Sequence, residues 1–444
     1  MRDRERSAEK GTGLGHAPKS GGVLDPRPSE WDQIFQARRD IAGLRGSENI
    51  TWLEWEAKAK VSVDDNLAPG TALRDEESDA RAGTGGGEEK NVIRDFMQDS
   101  DKSELCQPQA DKVDDFAWGG DLDLLAAETW KGPRSLPFVA WLDERSSEGG
   151  VERSRPYRGL LTAHDLHRQL KKPRFREVGS GHENAPNTDG SGSGEVAPCS
   201  AAERQREDQE KDEDEPDAER RLIFVNDLDC WTVYALVGTA SVHQQPALRS
   251  ALYNYLGAEG SIEVTVSSVG WPTFQLAFHL PYHVWRTSAE PCHDHRFDKH
   301  GEPLRHVKDV SLLNCECDGS KAFIYEAQIS CVLAGFDEWR WVAYCFVDSY
   351  YDGEDGETVL QYHRDRMNGM HADPLEHGNA DAEKPIEKAR EFFLKVFRIR
   401  IDQVKSEWEL VVDKVNKSIR KYEQVSLPGS SPFCGPESAR FLHR

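Results

Sequence analysis

Along residues 340–348, RWVAYCFVD, apolar character does not alternate with polar. Trp341, Ala343, Cys345 and Val347 fall on one side of an extended chain, Val342, Tyr344 and Phe346 on the other. A strand that is apolar on both faces must be covered on both, so it belongs in the interior of a sheet with a layer above and a layer below. Residues 324–333 just before it are again rich in β-branched and aromatic types, and Gly335-Phe336-Asp337-Glu338 supplies turn chemistry between the two. Residues 322–351 therefore read as a hairpin at the centre of the fold.

The chain around this hairpin alternates between dense and dilute. Residues 222–225 form a short apolar strand ending in Asn226-Asp227-Leu228-Asp229. Residues 231–240 and 246–256 follow as helices, the second with Leu248, Leu252, Tyr255 and Leu256 at helical spacing. Residues 262–266 and 274–280 read as strands, and Pro281 is expected to end the second. Strand, helices and then several strands give an α+β fold with a mixed or antiparallel sheet, a core domain over 221–351. Residues 116–177 read as a first part of the folded region and 29–63 as a helical segment. In the latter, Trp31, Ile34, Phe35, Ile41 and Leu44 share one face of a helix that Gly46 can end. Long disordered segments are expected at 1–28 and 425–444, with an acidic low-complexity stretch at 64–115, an acidic linker or insert at 178–220 and a polar loop at 352–384.

From 385 to 424 the pattern becomes a long amphipathic helix, about 60 Å at 1.5 Å per residue. Leu394, Phe397, Ile401, Val404, Trp408, Val411, Val415 and Tyr422 follow a 3-4 alternation. Each large side chain of that stripe gains about 1.5–3 kcal/mol from burial, so the stripe needs another helix, the sheet or a second copy against it.

A net charge of −23 argues against nonspecific binding to nucleic acid. Nine cysteines without an apolar leader point to free thiols in a reducing, intracellular and cytoplasmic setting, and no apolar run reaches the ~18–20 residues of a membrane span. Zinc-type ligands occur at Cys292, His293, Asp294, His295, His300, His306, Cys315 and Cys317, but their spacing fits no common zinc pattern. The acidic run 352–357 lacks the order of a calcium loop, and no metal or cofactor is assigned. Acid–base chemistry would need Glu326, Gln328, Ser330, Arg340, Asp348, Asp227, Asp229, His279 and His283 to converge. The same residues would serve equally as a hydrogen-bonded network on the sheet, and the catalytic residues are left unknown.

Several stretches carry a resemblance: RLIFVNDLDCWTVYALVGTAS, FQLAFHLPYHVWR, FIYEAQISCVLAGFDEWRWVAYCFVD, and DPLEHGNADAEKP followed by FFLKVFRIRIDQVKSEW. Together they resemble a family of uncharacterised filamentous-fungal proteins, longer members of which are similar at their C-terminal ends to CorA-like divalent-cation transporters. The resemblance covers roughly 157–424 without the acidic insert and implies no catalytic motif. It would make the chain the cytosolic portion of a membrane protein, yet no pair of apolar spans and no Gly-Met-Asn signature follows Tyr422.

The expectation is therefore an interaction or regulatory protein that associates, with a partner or with itself, through the helix around Phe397, Ile401, Val404, Trp408, Val411 and Val415. The alternatives are the cytosolic part of a CorA-like transporter and an enzyme with a polar site on the sheet.

Overall fold

The computed structural model describes residues 33–65, 91–98, 107–130, 132, 136–147, 151–155, 159–176, 215–267, 271–315, 320–355 and 359–426. The segments 1–28, 178–214 and 427–444, expected to be disordered, lie outside the described residues. Six helices come first: α1 (Gln33–Gln36), α2 (Ala42–Glu48), α3 (Trp52–Asp65), α4 (Val92–Met97), α5 (Gln107–Phe116) and α6 (Leu122–Ala126). Strands β1 (Ala140–Ser146) and β2 (Arg153–Ser154), helix α7 (Ala163–Leu170) and strand β3 (Arg220–Asn226) follow. Then come α8 (Cys230–Thr239), α9 (Gln245–Gly257), β4 (Ser261–Ser267), β5 (Thr273–Ser288), β6 (Val307–Asp309), β7 (Lys321–Gly335) and β8 (Trp341–Val347). Helices α10 (Val359–Met367) and α11 (Ala389–Ser426) complete the order.

All the strands among the described residues join one sheet in the order β2-β1-β3-β8-β7-β5-β4, with β6 beside β7. The β3–β8 pair is parallel and every other pair antiparallel, so the sheet is mixed. Strand β8 lies between β3 and β7, and all seven of its residues are buried. Its Val342, Tyr344 and Phe346 join Ile223, Val225 and Val332 under a layer built from α4, α5, α7, α8 and α9. Its Trp341, Ala343, Cys345 and Val347 join Phe224, Phe278 and Leu333 under α10 and α11. The two-faced apolar pattern thus corresponds to a sheet sandwiched between two helical layers.

Five segments differ from the sequence-based expectation. Residues 29–46 do not make one helix: α1 and α2 are separated where Arg38 leaves to pair with Glu219 at 2.7 Å and the Arg39 amide donates to Asp337 at 3.1 Å. Phe35, Ile41 and Leu44 are still buried, but Ile34 is exposed and Trp31 lies outside the described residues. Among its described residues the acidic stretch 64–115 hides two helices, α4 and α5, whose Ile93, Phe96, Met97, Ala110, Val113 and Phe116 enter the core. Averaged composition concealed two short apolar faces, and Arg249 of α9 anchors α4 by donating to the carbonyls of Phe96 and Gln98. The polar loop 352–384 contains α10 and a turn that buries Asp373, Leu375 and Glu376.

Pro281 does not end its strand; β5 runs on to Ser288. Strand β4 stops opposite His279, so the missing proline N–H meets a vacated edge rather than a lost ladder bond. The insert 178–220 also ends earlier than expected. Asp217, Ala218 and Glu219 are buried, held by Arg174, which donates to the Ala218 and Glu219 carbonyls at 2.8 Å each.

Candidate functional site

Because β3 and β8 are parallel and in register from Arg220–Trp341 to Asn226–Val347, Asp227 and Asp348 leave the sheet side by side at their C-terminal ends. Asp227 takes a left-handed φ of 49°, which turns its carboxylate back over the neighbouring strand end. Its Oδ1 accepts from the Ser349 amide at 2.8 Å, and its Oδ2 from the Ser349 hydroxyl at 2.8 Å. Asp348 has no exposed surface. Its Oδ2 accepts from Arg305 Nε at 2.7 Å and the Gln328 amide at 2.8 Å; its Oδ1 faces Arg296 Nη1 at 2.9 Å and accepts from the Tyr255 hydroxyl. Arg296 also grips Asp294 through two nitrogens, at 2.8 and 2.7 Å. Burial works against ionising Asp348, but Arg305 and Arg296 overcome it and hold the carboxyl below the usual carboxylate range. Burial pushes the Tyr255 phenol well above its ordinary value, so it stays a donor.

His279 and Ser330 complete this region, with Nδ1 2.8 Å from the hydroxyl, and burial lowers the imidazole to about 4. Gln328 donates from its side chain to the carbonyl of Asn254 at 3.0 Å. The structure therefore brings together Asp227, His279, Gln328, Ser330 and Asp348 of the expected polar set. It does not bring Arg340, which sits at the opposite end of β8, about 26 Å from Asp348 along the strand at 3.3 Å per residue, and donates to the Arg39 carbonyl at 2.6 Å. Glu326 accepts from the His306 amide at 3.2 Å, Asp229 caps α8 through the Thr232 amide at 2.7 Å, and the His283 ring stands against Trp408. What converges is a network whose charges answer one another. It fastens residues 294–305 and α9 to the strand ends, as a buried, hydrogen-bonded ion cluster does.

Several of the other chemistry-bearing groups are likewise engaged. Asp294 serves Arg296, the Cys292 amide donates to the Tyr325 hydroxyl at 3.2 Å, and His300 lies 3.7 Å from Asp115. Cys317 lies outside the described residues, and among those described no three metal-type ligands cluster. Of the acidic run 352–357, Asp352 pairs with Arg286 at 2.5 Å; residues 356 and 357 lie outside the described residues. Arg286 also takes both carboxylate oxygens of Glu407 at 3.0 Å, within a cleft of about 460 Å³ between the end of β8 and α11. That guanidinium is a rivet between β5 and the helix.

Helix α11 is one place where the chain leaves apolar surface uncovered. Its first half is packed: Phe392 lies against Trp341, Phe393 and Phe397 against Phe278, and Val396 and Val404 are buried. Arg400, with no exposed surface, donates to the carbonyls of Pro374 and Leu375 and to Gln403 at 2.9 Å. Val411 closes onto Trp285 and Ala322, with Val415 beside it. Much of the stripe expected to await a partner is thus covered by the chain's own sheet, which lies within reach because α11 runs along β5. Leu394, expected in that stripe, is exposed, and Phe392, Phe393 and Val396 take its place.

A second stripe is offset toward one flank. Trp408, Val412, Val415, Ile419 and Tyr422 succeed one another at 4-3-4-3 spacing. Val415 is half-buried; the others are 41%, 54%, 50% and 69% exposed. This spacing was readable in the sequence, but the stronger stripe beside it shares Trp408, Val415 and Tyr422 and masked it. No helix among the described residues is long and apolar enough to cross a membrane. No family model, curated protein or solved structure matches this chain.

Proposed function

We propose that this chain is an interaction module that docks a helix of a protein partner on the uncovered flank of α11. One observation carries the reading: four large apolar side chains, Trp408, Val412, Ile419 and Tyr422, stand in a heptad-like row on the surface. The helix that presents them is already rigid. Arg400 holds it to the turn at Pro374 and Leu375, and the Arg286–Glu407 bridge holds it to the sheet, so docking does not have to order it first. Recognition would follow the helix-in-groove mode, with anchors at i, i+4, i+11 and i+14. The opposing reading, an enzyme on the sheet, would need free acid–base groups, and those of the Asp348 network are bonded to one another.

A photo-crosslinking amino acid at position 412 or 419, in cells that make the full chain, tests this. Adducts are expected from both positions and not from position 417, on another side of the same helix. Equal adducts from all three positions, or none, would remove the reading.

A further inference from the structure

The flank of α11 carries a charge pattern that points to its own copy. Setting aside Glu407, which Arg286 already holds, Asp402, Glu409 and Asp413 against Lys405 leave residues 402–413 with a net charge of −2. Lys414, Lys417, Arg420 and Lys421 against Glu423 leave residues 414–424 with a net charge of +3. Two copies laid side by side in the same direction would set like charge on like along the whole row. Laid in opposite directions, the acidic half of each meets the basic half of the other.

We infer that a second copy of this chain occupies the exposed flank of α11, as an antiparallel helix pair centred on Val415. The inference rests on the reading of α11 as a docking helix and adds who docks and in which direction. About Val415 the apolar row matches itself to within one residue: Trp408 faces Tyr422 of the second copy, and Val412 falls one residue from directly opposite its Ile419. The small central valine lets the helices approach, and the aromatic residues close the two ends. Glu409 and Arg420 each follow a residue of the row and so rim it on the same side. They lie about 16 Å apart along one helix at 1.5 Å per residue, too far to meet within a chain. In the antiparallel pair each Glu409 comes opposite the other copy's Arg420, and two such contacts flank the row. The row spans only two heptads, well short of the ~800 Å² per partner of a standard interface, so the pair is a dissociable one that assembles with concentration.

Sedimentation equilibrium of the purified full chain decides this. Wild type is expected to form dimers as concentration rises, and to lose them as salt is raised. E409K alone and R420E alone should each weaken the dimer on the order of tenfold, since each replaces two attractive contacts by repulsive ones. A one-to-one mixture of the two variants should restore dimers, because both cross-chain pairs are then of opposite sign. A parallel pair cannot give that rescue, since positions 409 and 420 would never meet. A wild-type chain that stays monomeric, a dimer strengthened by salt, or a mixture that does not recover would each overturn the inference. If the purified chain is monomeric while positions 412 and 419 still give adducts in cells, the second copy is refuted and the docking helix stands. If both are silent, both fall.

Discussion

The Asp348 network and the outer flank of α11 are built on opposite principles. Around Asp348, two guanidinium groups, a phenol and a backbone amide surround one carboxylate, with no exposed surface left on it. Along α11, Val412, Ile419 and Tyr422 are apolar and uncovered. The residues with the most reactive chemistry are those the fold has already bonded, while ordinary aliphatic and aromatic side chains are left with an unmet need. Function in a chain like this is better sought where burial is incomplete than where charge is dense.

If the network is structural, breaking it should cost stability. Asp348→Ala leaves Arg296 and Arg305 buried without their shared counter-charge, a loss of about 3–5 kcal/mol. Chemical denaturation should show the midpoint falling steeply. A variant of wild-type stability would mean that the carboxylate is not what holds the strand ends to residues 294–305, and the contrast with α11 would weaken.

The next effect is on acid stability. His279 is buried, and burial lowers it to about 4 from the ordinary 6.5. The unfolded chain therefore takes up this proton first. The stabilisation is complete above pH 6.5 and is lost as pH falls through 4, up to about 3 kcal/mol from this site. Asp373, raised to about 6 by burial although Arg220 opposes it, works the other way, since the folded chain holds its proton between about 6 and 3.8. His279→Gln keeps a partner for Ser330 and removes the titration, so its stability should fall less than wild type's between pH 6.5 and 4.5. Parallel profiles would show that the imidazole is not buried neutral beside the network.

Much of the fold was legible because period-two and two-faced apolar patterns report burial directly. Strand β8 could be placed inside the sheet from Trp341–Val347 alone, and α9 from Leu248, Leu252, Tyr255 and Leu256. Helices α4 and α5 were not legible, since six buried residues are diluted among acidic ones and become apolar faces only once α9 is beside them. The polar set was half legible. Asp227 and Asp348 meet because β3 and β8 are parallel, and pairing direction is not written in either strand. Arg296 and Arg305, which answer Asp348, lie in a polar loop where nothing local marks them as buried. On α11 the sheet-facing row and the exposed row share residues, so only the position of β5 decides which row remains free.

The smallest expected effect is also the most discriminating for α11. Ile419→Ser removes an exposed aliphatic group from a helix already held at Arg400 and Glu407, so the stability of the chain should change by no more than about 0.5 kcal/mol. If the flank were instead closed over by part of the same chain, the substitution would behave as a core truncation and cost about 2–5 kcal/mol. Equilibrium denaturation at a concentration where the chain is monomeric separates the two. A near-zero change together with lost association at high concentration would place the whole effect of Ile419 on contact between molecules. A core-sized loss would turn the exposed row into a folding surface and remove the distinction between it and the packed first half of the helix.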